Sequence, residues 1–209
     1  MYRDFGVGQM GDMGAHTMDL VWNVVDAGAP TAIDIDRDVG DKFNPDICPV
    51  KLKAHFTQPA NSWRGPIELV WYQGGLKPDA PKGYIDISKV GNGAIFEGTK
   101  GTLQILRGDF TSATHPEWKK HAPDVIKEGP GENTPHIRNF LQCIRSRKRP
   151  NADVEIAHRS TSVCHLINIA RECNRTLQWD PKAETFPHDA EANGKLERVR
   201  RKGYELPKV

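Results

Sequence analysis

Apolar positions near the start of the chain recur with the period of a helix. Leu20, Val21, Val24 and Val25 form one stripe, and Gly28 with Pro30 marks its end, so the pattern predicts a helix over about residues 10–27. Gly14 inside that helix costs about 1 kcal/mol relative to alanine and points to close approach by another part of the chain. From Ala32 to Asp36 the period changes to two, the mark of a short strand. Val50, Leu52, Ala54 and Phe56 then alternate with Lys51, Lys53, His55 and Thr57, which predicts a sheet packed on one face. Residues 67–72 read as the next strand. Gly74-Gly75, Pro78 and Pro81 open a long loop. Residues 94–97 and 102–106, joined by Gly98-Thr99-Lys100-Gly101, predict a hairpin. Residues 107–131 keep neither period and read as a loop that crosses the surface or edges a cleft.

The helical period then returns twice. Thr134 is placed to cap a helix with Pro135 in its first turn, and Ile137, Phe140, Leu141 and Ile144 repeat at i, i+3, i+4 and i+7 before Pro150 stops it. Asp153 is placed to cap a second helix through about Cys173, with Val163, Leu166, Ile167 and Ala170 as its apolar stripe. Thr176 to Trp179 reads as a last strand. From Pro181 onward the chain is charged and is expected to wrap the surface or a neighbouring subunit. The inventory predicts an α+β domain over residues 1–180, a mostly antiparallel open sheet with helices packed on one face, followed by a charged C-terminal tail over 181–209. The opposite sheet face, with residues such as Trp71 or Tyr72, becomes the candidate for contact between copies of the chain.

With 209 residues and 37% hydrophobic content, the chain is long enough to bury a core. Its net charge of +2 supplies no large field for a phosphate backbone, so nucleic acid is not an expected partner. The basic run from Arg145 to Arg149 falls where a helix ends, where cations complement the helix dipole. Cys48, Cys143, Cys164 and Cys173 contain no C-x-x-C pair and are expected to be free thiols, mostly buried on apolar helix faces. No apolar run approaches the roughly 20 residues of a membrane span, and no signal-like segment opens the chain. The expectation is a soluble, cytoplasmic protein without a membrane partner.

Chemistry concentrates at residues 6–19. Gly6, Gly8 and Gly11 spell G-x-G-x-x-G, yet only five residues precede them, so the buried first strand of a nucleotide-binding βαβ unit is missing. The glycines are expected to permit tight packing at a helix entry instead. Asp12, His16 and Asp19 fall at i, i+4 and i+7, which puts two carboxylates and an imidazole on one helical stripe. Such a stripe suits acid–base chemistry; it also suits an exposed capping or ion-pair role, or a metal, although its spacing matches no established ligand motif. Tyr2 and Arg3, just ahead of the glycines, and His158, in the first turn of the second late helix, are further candidates for contact with a ligand.

The segment Asp4-Phe5-Gly6 to Asp19, the Gly98-Thr99-Lys100-Gly101-Thr102-Leu103 hairpin, Asn139-Phe140-Leu141-Gln142-Cys143-Ile144 with its Arg-Lys-Arg-Pro exit, and Ala157-His158-Arg159-Ser160 occur in an order that resembles the C-terminal half of Gfo/Idh/MocA-type oxidoreductases. The resemblance covers nearly the whole chain. It implies a substrate-binding and oligomerisation domain of an NAD(P)-dependent sugar or cyclitol oxidoreductase, with NAD or NADP held by a Rossmann domain upstream or on another chain. It maps the family's Asp-x-x-x-His signature onto Asp12 and His16, making His16 the acceptor of a substrate hydroxyl proton and Asp12 its orienting partner, while Asp19 joins the substrate contacts. The Rossmann glycine fingerprint and the Glu-Lys-Pro lysine of full-length relatives are both missing, so the chain alone is expected to be inactive and no cofactor-binding residue is assigned. Two other readings stand beside this one: a non-catalytic carbohydrate-binding or oligomerisation module, and a metal-dependent lyase or isomerase using the helical triad.

Overall fold

The computed structural model describes residues 2–80, 82, 84, 86, 91–106, 109–112, 114–121 and 134–207; for residues 4, 109–112, 121 and 134 it describes the backbone alone. The chain divides into two compact units. The first comprises residues 1–12, 26–76 and 162–209, the second residues 13–25 and 77–161. Helices α1 (Gly8–Val24) and α3 (Val154–Cys173) each supply residues to both.

In the first unit, β1 (Ala32–Gly40), β2 (Leu52–Gln58), β3 (Ile67–Gln73) and β7 (Leu177–Gln178) form an antiparallel sheet in the order β3-β2-β1-β7. Alternation divides its faces. Ile33, Ile35, Leu52, Ala54, Phe56, Trp71 and Leu177 are buried, as is the α3 stripe of Val163, Leu166, Ile167 and Ala170, so the core lies on one side of the sheet. The other side carries Asp34, Asp36, Lys53, His55 and Glu68, the residues of opposite parity. Trp71 therefore belongs to the core, where its Nε1 donates to Gln73 Oε1 at 2.9 Å, and only Tyr72 is left on the charged face. Val50 departs from the expected alternation: it is exposed, two residues ahead of β2, and its amide donates to Asp41.

The segment expected as a charged tail contributes to the core of this unit. Phe186 and Ala192 are fully buried, Phe186 meets Trp179 edge-on at 4.8 Å between ring centroids, and Asp189 caps α4 (Ala190–Asn193) while holding Arg175 at 2.7 Å. Charge content hid these two apolar anchors. The exposed, polar stretch begins only near Leu196.

In the second unit, β4 (Gly93–Gly98), β5 (Gly101–Leu106) and β6 (Asp109–Ser112) form a three-stranded antiparallel sheet. The expected hairpin is present, closed by the Gly98–Gly101 pair. β6 occupies part of the stretch read as a loop, its four residues too short to display a period; residues 107, 108, 113 and 122–131 lie outside the described residues. Helix α2 (Thr134–Ser146) ends earlier than Pro150, at Arg147, which takes a left-handed φ of 58° while its amide donates to Cys143 O at 2.8 Å. The Thr134 side chain, expected as a cap, is outside the described part. Ile137, Phe140, Leu141 and Ile144 form the expected stripe, yet each is about half exposed. All four cysteines are free, and burial pushes the Cys164 thiol up to about 12. No helix among the described residues is long and apolar enough to cross a membrane.

Candidate active site

Two glycines fix how the chain enters α1. Gly8 takes φ +73°, and a Cβ there would lie 2.6 Å from the Cβ of Cys48; a Cβ on Gly11 would collide with Val7. The G-x-G-x-x-G pattern is thus spent on backbone conformation and close packing, as expected for a helix entry that no strand precedes. The Asn168 side chain donates to Val7 O at 3.1 Å and Cys48 Sγ lies 3.5 Å from Gly6 O, so neighbouring segments of the first unit hold the residues leading into the helix. Arg3 forms an ion pair with Glu172, whose other oxygen meets Lys195 Nζ at 3.2 Å.

Once started, α1 buries Met10, Gly14, Met18, Trp22 and Val25. This stripe differs from the expected one: Leu20 and Val24 are exposed, because Met and Trp at i, i+4 spacing present a larger apolar surface and Gly14 lies level among them. Asp12, His16 and Asp19 lie on the opposite side of the same helix. Asp12 and His16 are exposed and Asp19 is half-buried. The helix repeat alone relates Asp12 to His16, one turn apart. Of the other candidates, Tyr2 is exposed and pairs its backbone with Ile47 in the first unit, Arg3 is committed to Glu172 there, and His158 is exposed on α3 in the second unit. Among the described residues no three His, Cys, Asp or Glu side chains gather closely enough to hold a metal ion.

Two cavities lie among the described residues of the first unit, and neither of these is lined by Asp12 or His16. One, of about 390 Å³, has Arg3, Arg171, Glu172 and Lys195 in its wall beside Leu166 and Trp179. The other, of about 340 Å³, opens on the charged sheet face and is lined by Asp34, Asp36, His55, Thr57 and Glu68. There His55 Nδ1 lies 2.6 Å from Glu68 Oε1 and its Nε2 lies 3.3 Å from Asp36 Oδ1, while Lys53 Nζ lies 2.7 Å from Asp36 Oδ2. The Lys53 ammonium holds the Asp36 carboxyl below its ordinary range, and Asp36 in turn raises Lys53. Sequence reasoning placed Lys53 and His55 on the outer face but did not join them to Asp34 and Asp36; the strand alternation carried the signal, since the register pairs Asp34 with His55.

Comparison with known families decides the identity of the domain. The family model for the oxidoreductase family, C-terminal alpha/beta domain, of the Gfo/Idh/MocA group matches residues 1–206. The chain belongs to this oxidoreductase family. No curated protein is significantly similar to it. Members of the family normally pair this domain with an N-terminal nucleotide-binding domain. The described strand pairs are all antiparallel, so among the described residues there is no parallel βαβ unit of the kind that cradles a dinucleotide.

Proposed function

We propose that this chain is the substrate-binding and catalytic half of an NAD(P)-dependent sugar or cyclitol oxidoreductase, acting on a CH–OH group. The observation that supports this reading is α1: a long helix that buries one stripe and turns Asp12, His16 and Asp19 outward on the other. In the proposed reaction the imidazole of His16 takes the proton of the substrate hydroxyl as general base. Asp12, one turn away, is proposed as the partner that orients the imidazole. Asp19, Tyr2, Arg3 and His158 are proposed as contacts to the polyol. The nicotinamide, which would accept the hydride, is carried by the separate nucleotide-binding domain, so the isolated chain does not turn over. The four free thiols are in keeping with a reducing, cytoplasmic compartment. We further read the charged sheet face, which carries both signs, as the contact between copies in a homo-oligomer.

The test supplies the chain with a nucleotide-binding domain of its family and measures sugar-dependent NADH or NADPH formation. His16→Ala is expected to lower kcat by about 10²- to 10⁴-fold with sugar binding retained. An unchanged rate in that variant rejects His16 as the proton acceptor, and sugar binding without turnover in any pairing favours a binding module instead.

A further inference from the structure

The 390 Å³ cavity of the first unit contains a buried cation with too few partners. Arg171, on the last turns of α3, is only 9% exposed. Its guanidinium carries five N–H donors, and the described residues give it one hydrogen bond, a long one from Nη1 to Ile47 O at 3.4 Å, together with the Phe43 ring at 5.1 Å. No carboxylate lies within ion-pair distance of it among the described residues. Burial accordingly pushes its pKa down, with Asp41 and Glu172 acting only from a distance. Its remaining N–H donors are left to the solvent of the cavity, where an oxyanion can take the place of water.

The rest of the wall fits that gap. Arg3 and Lys195 stand at the same cavity and share one carboxylate, Glu172, whose side chain is 7% exposed. Buried Arg171 and part-buried Lys195 therefore line the cavity beside the more exposed Arg3, against one buried acid. Asp41 is committed to the Val50 and Lys51 amides at 2.6 and 2.9 Å. Glu184 and Glu197 also line the cavity, but both are exposed, where water and salt screen them. Leu166, Ile169 and Trp179 supply apolar wall, and the volume falls in the range of small-molecule sites.

We propose that this cavity binds a small organic anion, with a carboxylate or phosphate group on Arg171, flanked by Arg3 and Lys195, and an apolar body against Trp179. A planar guanidinium donates to either oxyanion in a two-bond fork, and the flanking cations add attraction that depends on ionic strength. The site lies wholly within the first unit and shares only Arg3 with the proposed polyol contacts; it rests on Arg171 and Lys195, and the other reading on Asp12 and His16, so either can fail without the other.

The whole chain is titrated with phenyl phosphate and, separately, with benzoate. The readouts are the unfolding midpoint and the ¹⁵N-labelled indole resonance of Trp179, assigned with Trp179→Phe. A saturable shift of the indole and a rise in midpoint, both weaker at high salt, support the proposal. Binding of phenyl phosphate alone assigns a phosphate group, and binding of benzoate alone assigns a carboxylate. Arg171→Met is expected to weaken binding at least tenfold and Lys195→Ala several-fold. The second variant keeps the test informative should the first fail to fold. Absence of saturation by either compound below about 10 mM, or equal affinity in the variants that fold, overturns the proposal.

Discussion

The two cavities of the first unit differ in how their charges are matched. On the open sheet face each acid that lines the cavity has a partner: Asp34 holds Arg37 at 2.8 Å, Asp36 holds Lys53, and Glu68 holds His55. At the cavity beside α3, Glu172 serves two cations and Arg171 has no carboxylate within ion-pair distance among the described residues. The matched cluster is half-exposed and complete as it stands. The unmatched one is buried, where an uncompensated charge costs most, and burial and pairing together, more than the number of charged residues, mark it as the place for a ligand.

The largest effect expected from this contrast follows from removing the shared acid. Glu172→Ala leaves Arg3, Lys195 and Arg171 facing one another with no buried counter-charge. The loss should be about 2–3 kcal/mol in urea unfolding, below the roughly 3–5 kcal/mol of a fully buried broken pair, because Arg3 can turn to solvent. A loss under about 0.5 kcal/mol would mean that the cations are already solvated, and the distinction between the cavities would collapse.

Much of the first unit was legible in the sequence because its elements state their period clearly. β2 alternates through Leu52, Ala54 and Phe56, and α3 repeats Val163, Leu166, Ile167 and Ala170; all seven are buried. The α1 stripe was misplaced because periodicity gives several candidate faces and tertiary packing chooses among them, here in favour of Met10, Met18 and Trp22. The outward stripe of Asp12, His16 and Asp19 needed only the helix itself. The α3 cavity was not legible at all. Arg3, Arg171 and Lys195 are far apart in sequence and each reads as an ordinary surface charge until the fold brings them together. Phe186 and Ala192 were hidden in the same way, two apolar residues in a segment dominated by charge.

Removing the unmatched cation should act differently from removing its neighbour's acid. Arg171→Met gives up the long bond to Ile47 O and the contact with Phe43 but also relieves the desolvation of a lone guanidinium. Those contributions are similar in size, so the expected change is within about 1 kcal/mol of zero. A loss above about 2 kcal/mol by urea unfolding would show that Arg171 is matched within the chain after all, and would remove the reason for an anion.

The smallest effect is expected in the matched cavity, and its pH dependence is what identifies it. Asp36 is held below its ordinary 3.8, first by the Lys53 hydrogen bond and against the opposing effect of burial, so its contribution is complete above that value and fades as pH falls through the lowered one. Lys53 is raised above 10.5, first by Asp36, so its contribution is complete below that value and fades as pH rises through the raised one. Lys53→Met should therefore cost about 0.2–1 kcal/mol on a plateau between about pH 4 and pH 10.5, with the difference from the native chain shrinking on both sides. His55 still touches Asp36 at 3.3 Å and keeps the acid partly paired, which holds the loss at the low end. A difference that is flat through the acid range would show that Lys53 acts through its packing over Tyr72, 5.6 Å from the ring centroid, and the cluster would then owe little to its charges.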